Sequence, residues 1–150
     1  MARTRAVSLD IKTDALVGKD KDNFDFEFIK DLDIKFQDLE FIDNQEISKF
    51  DKEYKPYNFS YCFNVEASDQ VVLANIQNKR IRVLDEDEIR DQIITPLNKE
   101  QLFFSDAIFH LFYNVLIVEA NAGSAKTLLA LSGALKLVRQ KHFLKITMMN

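Results

Sequence analysis

A lysine and a threonine placed directly after a short loop are suited above all to holding phosphate. Residues Ala120-Asn121-Ala122-Gly123-Ser124-Ala125-Lys126-Thr127 have that form, followed by Leu128. Successive backbone N–H groups of such a loop curl around an anion, and a helix starting at its end adds roughly half a positive charge. Lys126 then reaches the β- and γ-phosphates, and the Thr127 hydroxyl helps to hold Mg²⁺. The full pattern is G-x-x-x-x-G-K-[ST]. Here alanine stands at both framing positions, Ala120 and Ala125, and only Gly123 is retained. Each extra methyl crowds the phosphate or strains the backbone by about 1 kcal/mol or more. A working anion loop and a decayed one therefore both remain open.

Other groups capable of chemistry are weaker. His110 and His142 are far apart, with no cysteine or acid pattern around them, and His110 reads as structural. Cys62 lies among alternating aromatics with no nearby base in sequence to lower its pKa, so an inert thiol is expected. Asp85-Glu86-Asp87-Glu88 reads as a solvated connector before a cation site, and Lys79, Arg80 and Arg82 as surface charge flanking a hairpin.

The elements that must position the loop follow from patterning. Val115 to Val118 is a short continuous apolar run, the pattern of a strand buried on both faces. Lys126 to Gln140 is helical and apolar nearly all round, so burial is expected, and Leu144 to Met149 reads as a second parallel strand. Upstream, Pro96 precedes a helix expected over Lys99 to Tyr113. The fold class is thus α/β over 93–150, the first β-α-β unit of a phosphate-binding fold, incomplete within this sequence.

A small antiparallel β module is expected before it, over 54–92. Tyr57, Phe59, Tyr61, Phe63 and Val65 share one face of a strand, and Asn58, Ser60, Cys62 and Asn64 the other. Val71 to Ile76 and Arg80 to Leu84 make two further strands around a Gln77-Asn78-Lys79 turn, and Asp85 to Asp91 an acidic connector. In the first zone, 1–53, Val7, Ile11 and Ala15 recur every four residues as in a short amphipathic helix. Phe24, Phe26, Phe28, then Ile34 and Phe36, then Leu39 and Phe41 alternate with polar residues, suggesting edge strands or extended segments.

The chain has 150 residues, of which 47% are hydrophobic and 29% charged, values that permit a packed core and exclude wholesale disorder. A single cysteine excludes an internal disulfide framework and a multi-cysteine zinc site. No apolar run is long enough for a signal peptide or a membrane span, so the expectation is a cytoplasmic protein without membrane association. Charge is uneven: residues 19–55 hold twelve acids against seven bases, and residues 101–150 two acids against five bases. The basic part is the part with the phosphate signal, in keeping with a polyanionic ligand.

From Ile94-Thr95-Pro96-Leu97-Asn98-Lys99-Glu100-Gln101 to Ala122-Gly123-Ser124-Ala125-Lys126-Thr127-Leu128-Leu129-Ala130, the chain resembles the entry to PhoH-like ATPases. These are P-loop proteins related to superfamily-one helicases, with an I-x-P-x-N-x-x-Q segment ahead of the loop. The resemblance implies ATP with Mg²⁺ as ligand, RNA or single-stranded DNA as partner, and Gln101 as the adenine contact. Each alanine replacement has a parallel in working enzymes of related classes. Ser8 to Leu16 is similar to the closing helix of the PIN nuclease domain that precedes many such ATPases. The PIN metal-binding aspartate would fall at Ala6, so no nuclease is implied. A P-loop ATPase also needs a later acidic motif, which these 150 residues do not contain. Hydrolysis by this chain alone is not expected. The alternative is a non-enzymatic protein-interaction module, with a homo-oligomer or a partner chain covering the unpaired sheet edge.

Overall fold

The computed structural model describes residues 29–56, 59–110, 115–118 and 120–149. The helix expected around Val7, Ile11 and Ala15, the PIN-like segment, and the alternation at Phe24, Phe26 and Phe28 lie outside the described residues. So do Tyr57 and Asn58 of the aromatic strand and residues 111–113 of the expected helix.

Four strands form one sheet in sequence order: β1 (Ile29–Ile34), β2 (Ser60–Val65), β3 (Val71–Gln77) and β4 (Arg80–Val83). β2, β3 and β4 make an antiparallel meander. Asn78 and Lys79 close its second hairpin with φ of 51° and 63°, the backbone that a two-residue type I′ turn requires. The module is not purely antiparallel, however, because β1 runs parallel to β2, with Ile29 opposite Ser60 and Ile34 opposite Val65. A parallel neighbour needs a long crossover, and residues 35–59 provide it with 3₁₀ helices at Phe36–Phe41 and Ile47–Lys49. The extended segment expected through Phe36, Leu39 and Phe41 is the first of these helices. Spacing of three governs it: Leu39 and Ile42 pack inward, while Phe36 and Phe41 are each 68% exposed.

The sheet is covered on both faces. Tyr61, Phe63, Val65, Ala74 and Ile76 pack with Ile34, Ile42, Ile47 and Ile81 beneath the crossover. On the other face Cys62 and Leu73 join Leu84, Ile89, Leu102, Phe103, Ala107 and Leu129 from the helical side. The Ser60 and Cys62 side of β2, which reads as polar in sequence, is therefore buried under helices. Burial pushes the Cys62 thiol up to about 11, with the neighbouring Asp31 carboxylate adding to the effect, in line with an inert thiol.

Three α-helices follow: α1 (Glu86–Arg90), α2 (Lys99–Phe109) and α3 (Lys126–Arg139). The acidic connector is α1. Asp85 caps it by accepting from the Glu88 amide at 3.1 Å, and Glu86, Asp87 and Glu88 occupy the first turn, where the helix dipole favours them. Asn98 caps α2 in the same way, accepting from the Gln101 amide at 2.9 Å. α3 is amphipathic and not buried all round: Leu129, Ser132, Gly133 and Leu137 point inward, whereas Leu128 is 56% exposed.

Neither strand expected around the loop joins the sheet among the described residues. Leu116 and Val118 pack against the helical cluster while Val115 and Ile117 face outward, and Leu144 is 98% exposed. An apolar run becomes a doubly buried strand only where a neighbour pairs its backbone and cover lies over both faces. The four-stranded sheet offers 115–118 and 144–149 neither. The architecture is mixed α/β, and no helix of the described residues is long and apolar enough to cross a membrane.

Candidate functional site

The loop ahead of α3 is a tight turn. The Ser124 amide donates to the Asn121 carbonyl at 3.3 Å, and Gly123 sits at φ 81°. A Cβ at Gly123 would meet nothing within 4 Å, so the glycine serves the backbone angle and not a close approach. Ala125, the N-cap of α3, is left-handed at φ 60° and ψ 15°. That conformation costs an alanine about 1–2 kcal/mol relative to its usual regions and is one that glycine adopts freely. Ala125 has no side-chain cap to offer, so the first amides of α3 lack the partner that capping would supply.

Lys126 turns back over this loop. Its Nζ donates to the Ala120 carbonyl at 3.0 Å and to the Asn121 carbonyl at 3.4 Å. From the other side Gln101, in the first turn of α2, donates through Nε2 to the Ser124 carbonyl at 3.3 Å and accepts at Oε1 from the Leu97 amide at 2.7 Å. A primary amide has two donor hydrogens and two acceptor lone pairs. Gln101 thus keeps one donor hydrogen and one acceptor lone pair.

An open cleft of about 360 Å³ lies between α2 and the loop, lined by Asn98, Glu100, Gln101, Phe104, Val118, Ala120, Asn121, Gly123, Ser124, Lys126 and Leu129. Of the residues read from sequence, Gln101, Asn121, Gly123, Ser124 and Lys126 meet on it. Ala122, Ala125, Thr127 and Leu128 belong to the loop and first helical turn but do not line it. The Ser124 Oγ is buried, with no hydrogen-bond partner among the described residues. Asn98, Glu100, Phe104 and Leu129 are additions. For Asn98, Phe104 and Leu129 the signal was a spacing of three from Gln101 and Lys126, since residues three apart share a helix face, whereas Glu100, next to Gln101, had no such signal.

The residues fit an anion better than a free cation. A lysine ammonium, an uncapped helix N-terminus and an unpartnered hydroxyl converge at the loop, while no group of three or more His, Cys, Asp or Glu among the described residues could hold a metal. Mg²⁺ would have to arrive with a polyphosphate, with the Thr127 hydroxyl, exposed at the start of α3, as the protein group nearest in kind.

The basic hairpin is partly committed elsewhere. Arg82 forms a salt bridge to Asp106, and Arg80 donates to the Asn44 carbonyl at 2.7 Å. The His110 pKa is lowered, first by burial and then by the Arg82 charge, consistent with a structural imidazole. No family model, curated protein or solved structure matches this chain.

Proposed function

We propose that the cleft binds ATP and that the chain from Ile94 onward is the opening part of a P-loop ATPase domain of the PhoH-like kind. The observation that carries this reading is the convergence of Lys126 and Gln101 on one loop from opposite sides of the cleft. An incoming triphosphate would exchange the Ala120 and Asn121 carbonyls for its own oxygens as partners of Lys126, with the α3 amides and Ser124 Oγ alongside. The spare donor and acceptor of Gln101 match the N6 donor and N7 acceptor of adenine. Mg²⁺ bound with the nucleotide would neutralise phosphate charge, and Thr127 is the side chain assigned to it. RNA or single-stranded DNA is the partner such an ATPase would serve.

Titration calorimetry on the wild type and on Lys126→Ala tests this. ATP should release heat with the wild type, and Lys126→Ala should weaken binding at least about tenfold, as expected for removing a charge-assisted contact to phosphate. Equal heats in both proteins, or none in either, would end the reading.

A second reading is favoured by a different observation. Leu97, Leu144 and Met149 are 84%, 98% and 90% exposed, and Leu128, Val115 and Ile117 about half exposed. Under this reading the chain is a non-enzymatic interaction module whose apolar surface is covered by a second copy or a partner chain.

A further inference from the structure

Buried polar side chains cross the sheet in a line that ends on α2. Ser60 on β2 donates to Asn75 Oδ1 at 2.9 Å, and Asn75 on β3 donates through Nδ2 to Asp106 Oδ2 at 2.6 Å. Arg82 on β4 forks onto the same carboxylate, 3.1 Å to Oδ1 and 2.5 Å to Oδ2. Ser60, Asn75 and Asp106 are only 1%, 5% and 5% exposed. Two strands thus grip one carboxylate directly and a third braces the grip.

Stability alone does not account for such a cluster. Apolar side chains of similar volume commonly hold a helix on a sheet as well as a buried ion pair does, because desolvation offsets the Coulombic gain. What directional bonds add is register. Apolar packing accommodates small slides and tilts, whereas a planar fork meeting a carboxylate in two parallel bonds does not. The element so fixed is the one that carries Asn98, Gln101 and Phe104 into the cleft. Asp106 lies five residues beyond Gln101 on α2, about 7.5 Å along the helix. None of the bonds just described comes from the opposite wall of the cleft, the loop and α3.

We infer that Asp106, gripped by Arg82 and Asn75, is a positioning cluster that sets the base-reading wall of the cleft against its phosphate loop, so that the β-sheet module fixes the width of the nucleotide site. This rests on the nucleotide reading above. The ligand it governs is one that must span both walls, a nucleoside triphosphate. A polyphosphate lacking the base needs only the loop.

The test compares ATP with inorganic tripolyphosphate on the full chain by calorimetry, using the wild type, Arg82→Lys, and the double variant Arg82→Met with Asp106→Asn. Arg82→Lys keeps the charge and loses the fork; the double variant removes the ion pair without leaving a lone buried charge. Thermal melts confirm that each variant is folded. ATP affinity should fall by about tenfold or more in both variants, since misplacement of a binding wall by an ångström is costly. Tripolyphosphate affinity should stay within about twofold, because neither substituted side chain lies in the loop and the bond that α2 makes to it, from Gln101 Nε2 to the Ser124 carbonyl, is a long one at 3.3 Å. A purely structural role would weaken both ligands together, and that result, or unchanged ATP affinity, overturns the inference. So does a wild type that binds ATP but not tripolyphosphate, since the loop would then not act independently of α2. A wild type that binds neither ligand refutes the nucleotide reading itself and takes this inference with it.

Discussion

Asp51 shows how much one buried carboxylate can join. It is 5% exposed and accepts from the Tyr61 hydroxyl at 2.8 Å and the Glu53 amide at 3.0 Å, while Lys30 Nζ lies 2.8 Å away. It therefore ties the crossover to both β1 and β2. Burial on its own would push the carboxyl up, but the Lys30 and Tyr61 hydrogen bonds, the Lys30 charge and the Glu53 amide together hold it below its ordinary value of 3.8. A depressed pKa means that this stabilisation is fully present above the unfolded value and is lost as pH falls through the folded one. Melting temperature should accordingly decline below about pH 4 more steeply in the wild type than in Asp51→Asn, whose side chain does not titrate there. Parallel pH profiles for the two proteins would show that the carboxylate carries no such share. At this scale the sequence speaks unevenly. Lys126 could be picked out because local spacing marks it and Gln101 only because the segment around it resembles a known family, and the left-handed angle at Ala125 is what its glycine-normal position foretells. The Arg82–Asp106 pair left no local trace: its members are 24 residues apart and belong to different elements. An acid within the 102–109 stretch, apolar but for it and Ser105, was the one available hint.

Among the elements, the α2–α3 crossing depends on Gly133. A Cβ there would sit 2.9 Å from Ile108 Cγ2 and 3.3 Å from Phe109 Cε1, and the former is a short, branched group with little room to give. Gly133→Ala gains helix propensity of about 1 kcal/mol but must prise the two helices apart, an overpacking cost of about 1–3 kcal/mol. The net cost is about 0–2 kcal/mol, so the melting temperature should fall by up to about 4–8 °C, at about 2–4 °C for each kcal/mol in a chain of this size. A raised melting temperature would mean that the helices reseat freely. The meander and α2 were legible because alternation, the polar Gln77-Asn78-Lys79 turn and a proline just ahead of a helix are local signals. β1 pairing, the 3₁₀ crossover and the acidic α1 were not. Parallel pairing is decided by partners distant in sequence, and a five-residue helix is too short for periodicity to declare. The runs at 115–118 and 144–149 look like strands in sequence because hydrophobicity records what a segment would bury, not whether a neighbour is there to pair with it.

At the scale of the whole molecule, most of the exposed large apolar side chains among the described residues lie late in the chain: Leu97, Val115, Ile117, Leu128, Phe143, Leu144, Met148 and Met149 are each at least 47% exposed, against Phe36, Phe41, Val71 and Ile93 before them. Surface of this kind favours association, so sedimentation should show a mass that rises with concentration, and substitution of Leu144 and Met149 by serine should suppress the rise. A strictly monomeric protein at every concentration would remove the second copy as the cover of this surface and leave the nucleotide reading standing. Finally, the topology implies an order of assembly. β2, β3 and β4 meet through connections of five and two residues, whereas β1 reaches β2 only after the excursion of 35–59. Closing the longer loop costs more chain entropy before any contact rewards it. The meander is thus the early scaffold, and the parallel edge, together with the Lys30 contact that it carries, is the late and most easily peeled part of the sheet.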